Sequence, residues 1–322
     1  GDPRTERTEY FFFRTDDKKP VAVVADKWAD QTVALYPAGN AKKGSKHIYF
    51  TRKRRTCDEM DICRIDPATG EVKLVFNEVN KPYFNEPFFH FSFLKGGDEL
   101  LWWSERTGTG HLYRYDCEGN LLNALSSGPW VVGNVLKVDE KNGYVYFDGY
   151  GQNPEENPYL SSVYKAPIDG KKRVRRLTPE EAMHKAIFSE SGRYFIDNYS
   201  RADLEPQSVV RDSEGRVVCE LASPDLSRLY ATGWKAPEPF KVKAADGVTD
   251  LYGYMWKPID FDSTKTYPII SYVYPGPQMD AVPQEFNLRG YYNMGLAQVG
   301  FIVVTFGHRG GTPVRDRWYH TY

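Results

Sequence analysis

Two short segments in the C-terminal third of the chain carry residue types that could take part in chemistry. The first is Val273 to Pro277 (VYPGP), and the second is Thr305 to Gly311 (TFGHRGG). Each ends a short apolar run, and in an open α/β sheet ligands bind beyond the carboxyl ends of the strands. Tyr274 stands before a turn fixed by proline, so its hydroxyl could be held in place as a donor to an oxyanion. The alternative for Tyr274 is an ordinary aromatic side chain at a sheet end.

His308 and Arg309, in the glycine-rich second segment, could be catalytic or could fix the turn by hydrogen bonds, and we favour the second role. No serine has the flanking glycines of a G-x-S-x-G nucleophile motif. Ser263 falls in a loop and Ser271 within an apolar run, and the other histidines show no pairing with a nucleophile. The sequence therefore supplies one candidate site residue, Tyr274, and no nucleophile.

Other chemical signatures are absent from the sequence. There is no Walker-type loop, dinucleotide-binding fingerprint or HExxH pair, so we expect no cofactor and no metal site. The Glu155–Glu156 and Glu180–Glu181 doublets could bind an amine, but as Pro-Glu-Glu in loops they are expected to be solvated. The basic run Arg52 to Arg55 predicts an exposed corner. The net charge is -1, and nucleic-acid binding would need a wider basic patch.

The two candidate segments are positioned by alternating strands and a helix. The stretch Tyr267 to Gly311 predicts a buried strand (Ile269 to Tyr274), an amphipathic helix and a second buried strand (Phe301 to Phe306). Short apolar runs separated by a helix are typical of a parallel sheet covered on both faces. Before them, FKVKAAD, the turn Asp246-Gly247 and LYGYMWKP predict a hairpin.

From about residue 30 to residue 216 a different pattern recurs, in which an aromatic-rich strand is followed by a second strand and a glycine-closed turn. The closing glycines are 49, 51 and 45 residues apart: Gly70, Gly119, Gly170 and Gly215. A period of about 45 to 50 residues is typical of a β-propeller blade. We predict a mostly β chain with about four blades of a larger propeller, VALYPAG (33–39) being a remnant of one more. An all-β sandwich is the alternative.

Two further features bear on the division of the chain. Thr178-Pro179 opens LTPEEAMHKAIFSESGRYF, which is expected to be a helical or turn insertion between blades. The composition changes after Ser223-Pro224, and GWKAPEPF (233–240) predicts a linker. We therefore predict a propeller domain at 1–235 and the first part of a second domain at 236–322.

The apolar runs, the first residues and the cysteines bear on the compartment in which the protein is found. No apolar run reaches the roughly 18 residues that can span a bilayer, and the first residues lack the apolar core of a signal peptide. The four cysteines lack metal-type spacing. Cys57 and Cys63 could form a local disulfide in an oxidising compartment, but we favour free structural thiols.

Several motifs together resemble a known family. The segments WWSERTGTGHLYRYD (102–116), YPIISYVYPGPQ (267–278) and FIVVTFGHRGG (301–311) are similar to the dipeptidyl peptidase IV branch of the prolyl oligopeptidase family, serine peptidase family S9. The ending RDRWYHTY is similar to that of Bacteroidetes members. The resemblance covers nearly the whole chain, from about Ile48 to the end.

The resemblance implies a β-propeller followed by the first strands and helix of an α/β-hydrolase domain. It implies an exopeptidase that cleaves near the amino terminus of peptides, typically after proline or alanine, with a Ser-Asp-His triad. In that family the tyrosine of a Y-x-G-P motif completes the oxyanion hole, and the matching residues are Tyr274, Gly276 and Pro277. Neither glutamate doublet has the tyrosine-flanked context of the family's amine-binding pair, so neither is assigned that role.

The resemblance also sets expectations for the whole protein. No residue up to Tyr322 matches the triad, so we expect the nucleophile in a later part of a longer chain and no hydrolysis by this chain alone. Peptides are the expected partners and nucleic acid is not. A homodimer is one possible assembly, and the expected location is periplasmic or secreted. Two alternatives stay open: a non-catalytic propeller module that binds a peptide or protein, and an acyl-ester hydrolase on the same fold.

Overall fold

The structure, a computed structural model, describes residues 9–36, 48–274, 279–310, 312 and 314. Most of the regular structure there is β-strand. Among the described residues, no helix combines the length and the apolar composition needed to cross a membrane.

Four antiparallel sheets of four strands each follow one another along the chain, and we call them blades 1 to 4. A hairpin of β1 (Phe11–Phe13) and β2 (Pro20–Ala22) precedes them. The blade strands are β3 (Thr32–Tyr36), β4 (Ile48–Lys53), β5 (Glu59–Ile65), β6 (Val72–Val79), β7 (Phe91–Leu94), β8 (Glu99–Ser104), β9 (His111–Asp116), β10 (Leu121–Ala124), β11 (Val131–Asp139), β12 (Tyr144–Tyr150), β13 (Ser161–Pro167), β14 (Arg175–Arg176), β15 (Met183–Phe188), β16 (Tyr194–Arg201), β17 (Leu204–Asp212) and β18 (Val217–Ala222).

A mixed sheet of order β19-β20-β22-β21 follows the blades. Its elements and the helices near it are α1 (Ser227–Tyr230), β19 (Glu238–Lys243), β20 (Asp250–Trp256), β21 (Ile269–Ser271), α2 (Asn293–Gln298) and β22 (Ile302–Phe306). β19 and β20 form the predicted antiparallel hairpin, and β21 runs parallel to β22. The predicted fold class is therefore confirmed: propeller-type blades followed by the first strands and helix of an α/β sheet.

The chain divides into two compact units, the first holding β1 to β10 with residues 168–170 and the second holding β11 to β22. In the first unit, Phe76 of blade 1 stacks on Tyr115 of blade 2, with ring centroids 4.2 Å apart. In the second, Phe188 of blade 4 lies 4.5 Å from Tyr146 of blade 3 and 4.7 Å from Phe195 of its own blade. Aromatic packing between successive sheets thus supplies much of each core.

The glycine that closes each predicted turn lies between the third and fourth strands of its blade. Gly70, Gly119, Gly170 and Gly215 all have positive φ, between 68° and 91°. A Cβ on Gly119 would lie 2.0 Å from the Val75 carbonyl oxygen of blade 1, and one on Gly215 would lie 2.2 Å from that of Leu177. A side chain cannot fit at such distances, so these positions require glycine. The regular spacing of these glycines in the sequence therefore corresponds to a close backbone contact that is made once per blade.

Two predictions about the blades are wrong. Met183–Phe188, expected within a helical or turn insertion, is β15, which pairs with β16 along its whole length. Sheet pairing and the packing of the partly buried Ala186 and Phe188 against a buried cluster overrode the helix-favouring composition of the segment. VALYPAG is not a remnant of a further blade, because residues 33–36 belong to β3, which pairs with β4 in blade 1. Residues 37–39 lie outside the described residues.

The predicted buried strand at Ile269 to Tyr274 is wrong in extent and in burial. β21 has only three residues, and Ile269 is 66% exposed. Because β21 is the last strand in the order of its sheet, one of its edges has no paired strand among the described residues. The strand is therefore an exposed edge.

All four cysteines are free thiols, as the favoured interpretation predicted. Cys63 is buried in β5, where burial raises the pKa of its thiol to about 11. Cys57 lies in the β4–β5 turn, and desolvation raises the pKa of its thiol as well.

The turn glycines provide a test of the blade contact. Gly215→Ala is expected to lower the free energy of unfolding by about 3 kcal/mol, because a clash with the Leu177 carbonyl adds to the cost of a positive φ. Gly143, in the β11–β12 turn, has a similar φ of +76° but no atom within 4 Å of a Cβ at that position. Gly143→Ala is the matched control and should cost only about 1 kcal/mol. Urea denaturation measures both, and equal losses would contradict the contact.

Candidate active site

The candidate site lies where β21 and β22 end at the same edge of the mixed sheet. The two strands are parallel, with Ile270 opposite Val303 and Ser271 opposite Val304. Tyr272 continues the pairing by donating its backbone N–H to the Val304 carbonyl at 2.9 Å. The segments that follow both strands are thereby brought together, as the sequence predicted for carboxyl ends of parallel strands.

Tyr274 comes three residues after the end of β21, and its side chain is 49% exposed. Its carbonyl oxygen lies 3.2 Å from His308 Nε2, so the two candidate segments are in direct contact. Gly276 and Pro277, the other residues of the Y-x-G-P motif, lie outside the described residues. About half of Tyr274 is exposed, and its role as an oxyanion donor stays a prediction.

His308 contacts the backbone on both sides of residues 275–278, at Tyr274 and at Met279. Its Nε2 lies 3.2 Å from the Tyr274 carbonyl oxygen and 3.1 Å from that of Met279. Its Nδ1 lies 3.1 Å from the carbonyl oxygen of Arg309. All three partners are carbonyl oxygens, which only accept, so whichever ring nitrogen carries the proton donates it to a backbone carbonyl. The contact to Arg309 lies within the glycine-rich turn that His308 was expected to fix, and the other two contacts reach the Tyr274 segment.

Arg309 connects the same loop to the β19–β20 hairpin. Its Nη1 lies 3.3 Å from the Asp246 carboxylate in the hairpin turn. Asp246 also accepts hydrogen bonds from the Thr249 hydroxyl and from the backbone N–H groups of Thr249 and Val248. These bonds, led by that of the Thr249 hydroxyl, lower the pKa of Asp246. The loop after β22 is therefore attached to the hairpin as well as to the Tyr274 segment.

Asp280 is a residue of this region that the sequence did not indicate. Its Oδ1 accepts the Val282 N–H at 2.8 Å, whereas its buried Oδ2 has no hydrogen-bond partner among the described residues. Burial raises the pKa of Asp280, and the nearby His308 opposes that shift. A Cβ on Gly307 would lie 3.0 Å from Asp280 Oδ2 and 3.1 Å from the Tyr159 hydroxyl, so glycine there lets both polar groups approach the backbone. No short motif marks this arrangement.

The segment after Met279 is also anchored on blade 4. The Phe286 N–H donates to Ser200 Oγ at 3.1 Å, and Lys185 pairs with Glu285 at 2.7 Å. Ala202 of the same blade packs in one buried cluster with residues of β20, β22 and α2. The residues that lead from the candidate site to α2 are therefore fixed by polar and apolar contacts.

Two serine–histidine pairs exist elsewhere that sequence spacing did not reveal. His111 Nδ1 lies 2.8 Å from Ser126 Oγ, and His90 Nε2 lies 2.9 Å from Ser92 Oγ. His111 and Ser126 are both buried, and burial lowers the pKa of His90 to about 4. A peptide bond cannot reach the first pair, so we assign it a structural role.

The expectation of solvated glutamate doublets holds for Glu155 and Glu181, which are exposed, and is wrong for Glu156 and Glu180, which are partly buried in ion pairs. Glu156 pairs with Arg176 at 2.8 Å. Glu180 pairs with Arg211 at 2.8 Å, and Glu181 accepts the Asn157 N–H at 2.8 Å. These acidic groups hold loops in place.

One cluster has the composition of a metal site: Glu180, His184 and Asp197, whose ligand atoms lie within 4.8 Å of one another. His184 Nδ1 lies 2.9 Å from Asp197 Oδ1. The Arg211 guanidinium bonds both Asp197 Oδ2 and Glu180 Oε2 at 2.8 Å. A fixed positive charge already neutralises both carboxylates, so the donor set fits an internal ion network rather than a cation site.

The basic run Arg52 to Arg55 does not form an unopposed positive patch. Arg52 pairs with the fully buried Asp61 at 2.8 Å. Lys53 pairs with Glu86, and Arg54 lies 3.9 Å from Asp58. Three of the four basic side chains in this run therefore have acidic partners.

Removing Arg211 tests the ion network. Arg211→Met is expected to lower the free energy of unfolding by about 3–5 kcal/mol, because Asp197 would be left buried without its cation. Arg216→Met is the matched control in the same blade: Arg216 has 79% of its side chain exposed and pairs with Asp212. The control should lose less than about 1 kcal/mol. Chemical denaturation compares the two, and similar losses would show that the network does not stabilise the blade.

Comparison with known proteins gives a consistent family match. The family model described as "Dipeptidyl peptidase IV (DPP IV) N-terminal region" matches residues 5–206. Dipeptidyl peptidase 8 of Homo sapiens is 30% identical over 200 residues, covering 58% of this chain and 22% of that protein. Dipeptidyl peptidase 4 of Arthroderma otae is 24% identical over 277 residues, covering 83% of this chain and 35% of that protein. The chain thus spans between a fifth and about a third of the length of these curated relatives.

A solved structure shares the fold. The crystal structure of Porphyromonas gingivalis dipeptidyl peptidase 4 superposes with a TM-score of 0.80 at 22% identity, covering 97% of this chain and 43% of that one. At this level of identity the likeness concerns the fold alone. It includes both the blades and the mixed sheet that carries the candidate site.

Proposed function

Because the chain belongs to the dipeptidyl peptidase IV family, we propose that it is part of a serine exopeptidase that cleaves near the amino terminus of peptides, typically after proline or alanine. The observation that carries this proposal is the parallel pairing of β21 with β22. It puts Tyr274 at the carboxyl edge of a sheet, with an accessible side chain and its backbone bonded to His308. An exposed, positioned phenol at that edge is suited to acyl transfer.

In this proposal Tyr274 acts on the tetrahedral intermediate. When the nucleophile adds to the peptide carbonyl, negative charge develops on the carbonyl oxygen. The Tyr274 hydroxyl donates a hydrogen bond to that oxygen, and a fixed donor of this kind typically contributes about 3–4 kcal/mol to transition-state stabilisation. The backbone contact to His308 limits the positions that the hydroxyl can take.

We place the serine nucleophile and its aspartate and histidine partners beyond residue 322, and the chain alone is expected to be inactive. Ser263 is an exposed loop residue, and Ser271 is part of the β21 ladder. We also place the boundary between the propeller and the hydrolase part at residues 235 and 236, between the end of β18 at Ala222 and the start of β19 at Glu238. A periplasmic or secreted location and a homodimer stay predictions.

The role of Tyr274 is tested in the full-length protein that contains this chain. Tyr274→Phe removes the hydroxyl and keeps the ring, so kcat on a proline-containing dipeptide amide is expected to fall about 10- to 1000-fold with KM little changed. Tyr272→Phe is the matched control, because Tyr272 is an exposed tyrosine two residues away. It should retain full activity. An unchanged kcat for Tyr274→Phe would rule out the oxyanion role.

Covalent labelling tests the class of enzyme. The full-length protein is expected to react with a fluorophosphonate probe, because an activated serine displaces fluoride from phosphorus and forms a phosphonate ester. Absence of a covalent adduct would favour the alternative of a non-catalytic propeller module. Labelling together with hydrolysis of short acyl esters, but not of dipeptide amides, would favour an acyl-ester hydrolase instead.

A further inference from the structure

His184, in β15 of blade 4, has an oxygen acceptor at each of its two ring nitrogens. Nδ1 lies 2.9 Å from Asp197 Oδ1 and 3.0 Å from Asp197 Oδ2, on the neighbouring strand β16. Nε2 lies 3.1 Å from the backbone carbonyl oxygen of Glu180, in the segment before β15. The side chains of His184 and Asp197 are fully buried, so bulk water does not reach these contacts.

A neutral imidazole cannot satisfy both contacts of His184. It carries one proton, so its second nitrogen presents a lone pair to an oxygen within hydrogen-bond distance. The Glu180 carbonyl oxygen only accepts, and a bond to it needs a proton on Nε2. Asp197 also accepts a hydrogen bond from Arg211 Nε at 2.8 Å, so its carboxylate acts as an acceptor on both sides. The imidazolium form, which donates from both nitrogens, is the form that fits every contact.

The charges in the ion network are equal in number only when His184 is an imidazolium. Arg211 Nη2 lies 2.8 Å from Glu180 Oε2 and Arg211 Nε bonds Asp197, so one guanidinium faces two carboxylates. An imidazolium supplies the second positive charge. A neutral His184 would leave one negative charge in excess, and buried ions without a partner are costly.

Further charged and titratable groups face the network from neighbouring elements. The Tyr199 ring on β16 has its centroid 5.1 Å from that of the imidazole. Arg176, on β14, donates to the Glu180 carbonyl at 3.1 Å and pairs with Glu156 of the β12–β13 loop at 2.8 Å. Desolvation raises the pKa of Glu156, but Arg176 and, to a smaller extent, the charge of His184 lower it overall. Because Arg176 and Glu156 oppose each other, they do not reverse the charge balance.

We propose that His184 is a buried proton switch, which holds residues 180–182 while it is an imidazolium and loosens them when it loses a proton. The Glu181 carboxylate accepts the Asn157 N–H at 2.8 Å, and the Glu181 carbonyl accepts Arg201 Nη1 at 2.8 Å. The segment therefore joins the β12–β13 loop of blade 3 to the end of β16 in blade 4. Through His184, the attachment of these two elements depends on pH.

The direction of the effect follows from where the proton is held. A free imidazole loses its proton at about pH 6.5, and an opening that releases His184 exposes it as such a group. Below that pH both the closed and the open forms hold the proton. Above it only the closed form does, so the closed form becomes less stable relative to the open one as the pH rises.

Neutron diffraction tests the protonation state directly and needs no variant. In deuterated crystals of the full-length protein at neutral pH, His184 is expected to carry deuterium on both Nδ1 and Nε2. His90 is the internal control, because it is also a histidine away from bulk water and burial lowers its pKa to about 4. It should carry deuterium on one nitrogen only. A single deuterium on His184 would overturn the proposal.

Hydrogen exchange in the full-length protein tests the switch itself. Protection of the backbone N–H groups of residues 180–184, corrected for the intrinsic pH dependence of exchange, is expected to fall by up to about 10-fold per pH unit between about pH 7 and about pH 8.5. His184→Gln keeps a side-chain donor but cannot titrate, so its protection should change by less than about 2-fold per pH unit. His90→Gln is the matched control and should keep the wild-type slope. Equal slopes in the wild type and in His184→Gln would contradict the switch, and the neutron result decides the proposal if His184→Gln does not fold.

Discussion

A contact between two backbones, made once per blade, sets the spacing on which the sheets depend. In each blade the turn glycine has a positive φ, and a Cβ there would lie 2.0 to 2.9 Å from a carbonyl oxygen of the preceding strand pair or blade. At Gly70, Gly119 and Gly215 the nearest atom is a backbone carbonyl oxygen, and at Gly170 the side-chain amide of Asn123 lies equally close. Aromatic side chains such as Phe76 and Tyr115 then fill the remaining space between the sheets. The glycine between the third and fourth strands of each blade therefore allows both the tight turn and the close approach of the neighbouring backbone.

This constraint explains which parts of the fold the sequence could predict. A glycine turn is a local feature, so Gly70, Gly119, Gly170 and Gly215 marked the blades correctly. β15 could not be predicted, because its strand form depends on pairing with β16 and on contact between Phe188 and Tyr146, 42 residues earlier in the chain. The exposure of β21 was missed for a similar reason. Short apolar runs resemble buried strands, but burial depends on neighbours that the run itself does not specify.

In the candidate site, too, the sequence could indicate residues that follow a local pattern but not those whose role depends on tertiary contacts. Tyr274 and His308 could be indicated from the sequence because each follows an apolar run, and strand ends of a parallel pair share an edge. Asp280 gave no signal, since its significance comes from burial beside Gly307. The Arg211 network was also invisible, because its members lie on β15, β16, β17 and the loop before them. Charged residues that pair across different strands leave no local pattern in the sequence.

The bonds of His308 to the Tyr274 and Met279 carbonyls have a consequence for variation in chain length. Both oxygens must stay within reach of one ring nitrogen, which limits how many residues can separate Tyr274 from Met279. Insertions and deletions in this region are therefore expected to occur in the loop before β21, with the number of residues between Tyr274 and Met279 kept constant.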